Sequence, residues 1–307
     1  MRVLPDKKRI RDMSFSNVLN HGGCTRRDFL RLGISSAVAM ALTSRLAFAQ
    51  EVAGKKIPVG VQLYSVREAC AKDLPGTLKA IKKIGYSGVE YAGYYGKSAK
   101  ELRKMMDDEG LKCYGTHTGL DTLRGDALKK TIEFNQILGN RYLICPWMQA
   151  RNADEWKALA DEFNKMSAIV AKEKVGDKRM YVGYHAHAHD FEKFDGKRAW
   201  DIFFGGTVDD VVMQLDTSNC LAGGADPVQV LKEYPKRALT IHLKEHGGKS
   251  DSAIGEGEVK WDEIFKLCEE NKVTEYYIVE SEKGANPEAS IDDVRRCFEG
   301  LKKMNRA

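Results

Sequence analysis

From Ile57 onward the chain alternates short β-branched runs with longer segments of helical period, and this alternation limits the possible folds more than any other feature. Such a rhythm builds βα units around a parallel sheet. Eight strand candidates fall at residues 58–64, 88–92, 111–116, 141–145, 180–186, 211–216, 238–243 and 276–281. The helical candidates that follow them are 74–84, 98–109, 125–138, 152–174, 198–204, 226–233, 260–271 and 290–303. Leu74, Leu78, Ile81 and Ile84 share one helix face, and Gly85 stops that helix. Trp156, Leu159, Phe163, Met166 and Val170 make a second stripe, of the kind that packs a core. No Pro/Ser-rich linker divides this stretch. Eight units in one uninterrupted domain predict a closed (β/α)8 TIM barrel rather than an open doubly wound sheet of roughly five to seven strands. No GxGxxG follows the first strand, so a dinucleotide site is not supported.

Residues 1–49 do not share the rhythm. They hold nine Lys/Arg and three Asp/Glu, a net +6 against +5 for the whole chain, which leaves residues 50–307 near −1. A basic stretch runs to Arg27, an apolar stretch from Leu32 to Leu42, and Ala47-Phe48-Ala49 offers the small residues of a cleavage site. Thr25-Arg26-Arg27-Asp28-Phe29-Leu30-Arg31 resembles a twin-arginine export signal. The expectation is a signal peptide cleaved after Ala49, passage through the twin-arginine machinery, and a periplasmic domain of residues 50–307. The apolar run is too short to anchor the chain in a membrane, which takes ~20 apolar residues. A domain near neutrality lacks the positive field that nucleic-acid binding needs. Six cysteines remain after Ala49, with no CxxC pair, and no structural disulfide is expected.

In a parallel barrel the chemistry lies at the C-terminal ends of the strands. Those ends are polar here. Strand 2 ends in Glu90 and strand 3 leads to His117. Strand 5 ends in His185, Ala186, His187 and then His189. Strand 6 ends in Gln214 and Asp216, strand 7 in His242 and Lys244, and strand 8 in Glu280 and Glu282. Side chains two apart share a strand face. Strands 5 to 8 can therefore bring an imidazole, a carboxylate, an imidazole and a carboxylate to one place. That mixed set suits Mn²⁺, Co²⁺, Fe²⁺ or Zn²⁺ better than Mg²⁺ or Ca²⁺. A divalent ion, with Mn²⁺ heading the candidates, is expected where one member of each pair meets the others, with the strand-5 ligand open between His185 and His187. Each residue also has a plainer use. Asp216 could cap a turn, His242 could be a satisfied core histidine, and Glu280 could pair with Lys244. His189 and Glu282 are expected to be supporting or solvated groups.

These segments together resemble the xylose-isomerase-like barrels of sugar phosphate isomerases and epimerases. The resemblance rests on Gly60-Val61-Gln62-Leu63-Tyr64-Ser65, Ile84-Gly85-Tyr86-Ser87-Gly88-Val89-Glu90, Gly183-Tyr184-His185-Ala186-His187, Leu215-Asp216-Thr217 and Ile241-His242-Leu243-Lys244. Gly255-Glu256-Gly257-Glu258-Val259-Lys260-Trp261 and Val279-Glu280 complete it. It implies a single divalent metal held from strands 5 to 8, commonly by Glu, Asp, His and Glu. Asp216, His242 and Glu280 match the last three, and His185 is the expected fourth ligand. His185 departs from the strand-5 Glu, which points toward branches with dehydratase- and lyase-like members.

The expected chemistry is proton abstraction next to a carbonyl through an enediolate, in a metal-dependent sugar isomerase or epimerase. The alternative is a lyase or dehydratase that cleaves keto-sugars or 3-keto-glycosides by β-elimination at the same site. Glu280 or His185 is the expected base, Lys244 neutralises substrate oxygen, and His117 binds or shuttles a proton. Glu90, His187 and Trp261 are expected against the substrate. For Glu90 an inner salt bridge is the competing use, and for Trp261 anchoring of its loop. Export favours an unphosphorylated sugar or glycoside as the small-molecule partner. No Gly-x-Ser-x-Gly nucleophile is present, and hydrolysis by two free carboxylates conflicts with their commitment to a metal.

Overall fold

The computed structural model describes residues 56–307. The signal-peptide reading of residues 1–49 and the cleavage point after Ala49 lie outside the described residues. Eight strands run β1 Val59–Gln62, β2 Gly88–Tyr91, β3 Lys112–His117, β4 Tyr142–Cys145, β5 Tyr181–His185, β6 Val212–Gln214, β7 Thr240–Leu243 and β8 Tyr276–Val279. All pair in parallel in the order β6-β5-β4-β3-β2-β1-β8-β7. An isolated parallel bridge between Asp216 and His242 joins β6 to β7 and closes the ring. The chain thus forms the expected single (β/α)8 barrel.

The outer helices are α1 Leu74–Ile84, α2 Ala99–Glu109, α3 Gly125–Leu138, α4 Ala153–Val170, α5 Ala199–Gly206, α6 Pro227–Glu233, α7 Trp261–Asn271 and α8 Pro287–Lys303. Their ends follow from local chemistry. Ser98 and Glu101 form a capping box that starts α2, and Asn152 and Asn286 cap α4 and α8 through their side chains. Leu74, Leu78 and Ile81 of α1, and Trp156, Phe163, Met166 and Val170 of α4, are buried against the barrel wall. That packing is the main stabilising force, at roughly 25 cal/mol per Å² of apolar surface removed from water. Short helices at Arg67–Lys72 and Thr217–Ala222 and hairpins at 174–179 and 193–198 add to the expected pattern. No described helix is long and apolar enough to cross a membrane. The six described cysteines are free thiols.

Strand parity sorts the side chains. Val59, Val61, Val89, Met213 and Ile241 face the helices, whereas Gln62, Glu90, Gln214, Thr240 and His242 meet one another inside the barrel. Beneath this polar layer the lumen is filled by aromatic rings. Tyr114 stacks on Tyr276 with centroids 3.9 Å apart. It fills space that Gly60 and Gly88 leave, since a Cβ at either glycine would lie 2.6 Å from the Tyr114 ring. One irregularity matters for function. Val89 pairs with Cys113, but Glu90 pairs with Gly115, so Tyr114 is an extra residue in β3. This bulge resets the alternation, so that Tyr114, Gly115 and His117 all serve the interior.

Candidate functional site

The site grows out of the polar layer. Glu90 is wholly buried, and its carboxylate accepts from Gln62 Nε2 at 2.9 Å, Gln214 Nε2 at 2.8 Å and the Nε2–H of His242. Gly115 makes room for it, because a Cβ there would lie 2.1 Å from Glu90 Oε1. Burial alone would raise this carboxyl. The His117 and His242 rings outweigh that effect and hold it far below the usual carboxylate range. Glu90 is therefore an interior anchor, and the expected contact with a substrate hydroxyl is corrected to the competing inner ion pair.

Above Glu90 stands His242, whose Nδ1 lies 2.8 Å from Glu280 Oε2. Although burial disfavours charge on the ring, the two flanking carboxylates push its pKa up to about 10. Glu280 Oε1 also accepts from Lys244 Nζ at 2.9 Å, and Lys244 reaches Glu282 Oε1 at 2.6 Å. His242 and Lys244 overcome the burial of Glu280 and hold its carboxyl well below the ordinary range. Asp216 serves two ends. Its Oδ1 caps the Thr217–Ala222 helix by accepting from Asn219 N at 2.7 Å, while its Oδ2 is buried without a hydrogen-bond partner. Burial raises this carboxyl to about 6 against the opposing pull of Lys244 and His242. His185 is buried and neutral, pushed well down by burial and then by the neighbouring His242 and His117 rings.

One donor atom from each of His185, Asp216, His242 and Glu280 lies within 4.8 Å of the others, so the four expected ligands meet at one point. His117, His185 and His242 also cluster. Of these groups His117, His185 and Glu280 open on a cavity of about 500 Å³, which His187, Lys244 and Glu282 also line, with Tyr64, Trp147 and Asn219 on its walls. The volume lies within the ~300–1,000 Å³ of small-molecule sites. His187 borders the cavity with a buried Nδ1 that has no partner, and burial lowers its pKa to about 4.

Trp261 is elsewhere. It is buried, stacks on Phe265 and donates its Nε1–H to Glu245 Oε2 at 2.8 Å. Its expected stacking on a sugar is corrected to the anchoring use. The aromatic surfaces at the cavity are Trp147 and Tyr64, respectively 52% and 44% exposed. Trp147 rests edge-on against His187 and lies 4.3 Å from the His189 ring, centroid to centroid. His189 is thus a support for the cavity wall, its Nε2 held by Met148 O at 2.8 Å. Sequence reasoning missed Trp147, Tyr64 and Asn219. The rule that found the histidines would have found the two aromatic residues had it been applied to the ends of β1 and β4.

Comparison with known proteins agrees with this architecture. The profile of the xylose isomerase-like TIM barrel matches residues 78–301. An inosose dehydratase of Clostridium botulinum (strain Alaska E43 / Type E3) is 23% identical over 248 residues, covering 66% of this chain and 81% of the relative. An inosose dehydratase of Clostridium perfringens (strain 13 / Type A) is 30% identical over 200 residues, covering 58% and 62%. The crystal structure of a sugar phosphate isomerase/epimerase from Parabacteroides distasonis ATCC 8503 superposes with a TM-score of 0.70 at 26% identity, covering 81% of this chain and 98% of that one.

Proposed function

Because the chain belongs to the xylose isomerase-like TIM barrel family, we propose that it is a divalent-metal-dependent enzyme that removes a proton next to the carbonyl of an unphosphorylated sugar or cyclic polyol ketone. The observation that carries this reading is the Asp216 carboxylate. Its Oδ2 is buried and unpartnered beside donor atoms of His185, His242 and Glu280. An orphaned buried carboxylate oxygen is costly unless something positive completes it. The two-nitrogen, two-carboxylate set fits Mn²⁺, Co²⁺, Fe²⁺ or Zn²⁺.

His185, Asp216, His242 and Glu280 would hold the ion, which when bound supplies an electrophile for a substrate oxygen. The chain's own groups do the rest. With His185 and Glu280 committed below, proton transfer falls to His117 and His187, which both border the cavity. Lys244 places an ammonium at the mouth but is already paired with Glu280 and Glu282, and no arginine lines the cavity among the described residues. That leaves no free cation for a phosphate and favours an uncharged substrate. Trp147 and Tyr64 offer faces for the apolar side of a ring.

Two outcomes share the first step. β-Elimination, in which the electron pair freed at the carbon expels a neighbouring oxygen substituent that leaves with a proton, is the reading we prefer. It is supported by the imidazole at the strand-5 position and by the relatives named inosose dehydratase. Reprotonation, giving an isomer or epimer, is the second reading, supported by the relative named sugar phosphate isomerase/epimerase. The leader adds the proposal that the enzyme works after export. Proton NMR in D₂O of metal-loaded protein with inososes, keto-sugars and keto-glycosides tests the chemistry. Loss or deuterium exchange of the hydrogen next to the carbonyl is expected, with an unsaturated product if elimination prevails. Turnover that leaves every carbon-bound hydrogen in place would sink it.

A further inference from the structure

Two histidines on the cavity floor share one acceptor, and a chain of hydrogen bonds fixes what that acceptor is. The backbone N–H of Tyr64 donates to Gln62 Oε1 at 3.1 Å, so the amide nitrogen of Gln62 faces Glu90 Oε2 at 2.9 Å. The other oxygen of Glu90 faces Gln214 at 2.8 Å. Between a carboxylate ringed by donors and a glutamine side chain, the NH₂ must be the group turned toward the carboxylate. Its second N–H reaches Thr240 Oγ1 at 3.0 Å. Gln214 Oε1 is then left facing His117 Nε2 at 3.0 Å and His185 Nδ1 at 3.1 Å, and a carbonyl oxygen can only accept.

We infer that Gln214 is a positioning residue that keeps the proton of His185 on Nδ1 and that of His117 on Nε2. The nitrogen that carries the proton in a neutral imidazole is set by the bond its ring makes. The Gln214 carbonyl thus leaves His185 with its lone pair on Nε2, and together with Glu90 Oε2, 3.3 Å from His117 Nε2, it leaves His117 with its lone pair on Nδ1. The first is the atom a metal ligand must offer, and the second is the atom a proton acceptor must offer. The significance for metal binding rests on the function proposed above; the tautomers themselves do not. Register explains the reach, since Gln214 is the direct parallel-strand partner of His185. The bulge in β3 explains how His117 arrives at the same oxygen from across the lumen.

The test is long-range ¹H–¹⁵N spectroscopy of metal-free protein labelled at histidine, with His117→Asn and His185→Asn for assignment. His185 protonated on Nδ1 and His117 protonated on Nε2 is the expected result. Wild-type His185 protonated on Nε2, or on both nitrogens at neutral pH, overturns the inference without any variant at Gln214. Gln214→Met keeps the length of the side chain and removes the acceptor. It should release His185 from the Nδ1–H form and weaken Zn²⁺ or Mn²⁺ binding, measured by calorimetry, ~10–100-fold. An unchanged His185 tautomer in that variant overturns the assignment. If the variant fails to fold, the wild-type spectrum still decides. Wild-type protein that shows the expected tautomers yet binds no metal would remove the metal reading and leave this inference standing.

Discussion

Replacing Glu245 with Gln should loosen the whole segment from the end of β7 to the start of α7. The Glu245 side chain is buried and accepts four hydrogen bonds. Oε1 takes those of His246 N at 3.0 Å and Val259 N at 3.3 Å, and Oε2 takes those of Gly255 N at 2.7 Å and Trp261 Nε1 at 2.8 Å. All four partners are donors. A glutamine of the same shape keeps one oxygen and turns an NH₂ toward the other two, so two bonds are lost and two buried donors meet a third. Hydrogen bonds to a charged group contribute ~1.5–3 kcal/mol each, and the 3.3 Å contact lies at the weak end. The loss is then about 3–4 kcal/mol. For a domain of this size ~1 kcal/mol moves the midpoint ~2–4 °C, so Tm should fall ~6–16 °C. Scanning calorimetry of the two purified proteins measures it. A variant melting within about 2 °C of wild type would refute the idea that this carboxylate, rather than apolar packing of Trp261, holds the loop.

Two further outcomes follow from the site and the leader. Purified protein should hold about one divalent ion per chain, and Asp216→Ala should lose it while His189→Ala retains it; metal analysis showing stoichiometric ion in the Asp216 variant would contradict the ligand set. Mass spectrometry of exported protein should find a chain beginning at or near Gln50, and Arg26→Lys with Arg27→Lys should block export; normal export of that double variant would refute the twin-arginine reading.

The barrel was legible because its strands differ so sharply in period from its helices. Each expected strand overlaps an observed one, and the helix boundaries at 74–84 and 125–138 coincide with α1 and α3. The meeting of His185, Asp216, His242 and Glu280 was legible because parallel strands all end on the same face. What escaped was set by contacts that no local pattern encodes. Trp261 carries the same indole whether it stacks on a ligand or bonds to Glu245, and only the fold brings Glu245 beneath it. Glu90 ends its strand like Glu280 but sits one layer lower, enclosed by Gln62, Gln214 and His242. The bulge at Tyr114 breaks the two-residue rhythm that parity arguments assume, yet it is what lets His117 join the others. Gln214 looked like a neighbour of Asp216, and its shared bond to two rings from different strands could be seen only in space.

The closure of the ring between β6 and β7 bears on how the domain breathes. Elsewhere neighbouring strands are laced by ladders, but this seam has the Asp216–His242 bridge, His242 N donating to Leu215 O at 2.9 Å and Met213 N donating to Arg237 O at 2.9 Å. Openings of a folded protein begin where few bonds must break together. Asp216 and His242 stand on opposite sides of that seam, so whatever they grip in common acts as a clasp across it. A bound ion would tighten the barrel at the one joint its backbone leaves thin, and amide exchange along β6 and β7 would slow with occupancy by the linkage that ties binding to local stability. The site would then stiffen its own scaffold, adding the grip of an ion to the few backbone bonds that close the seam.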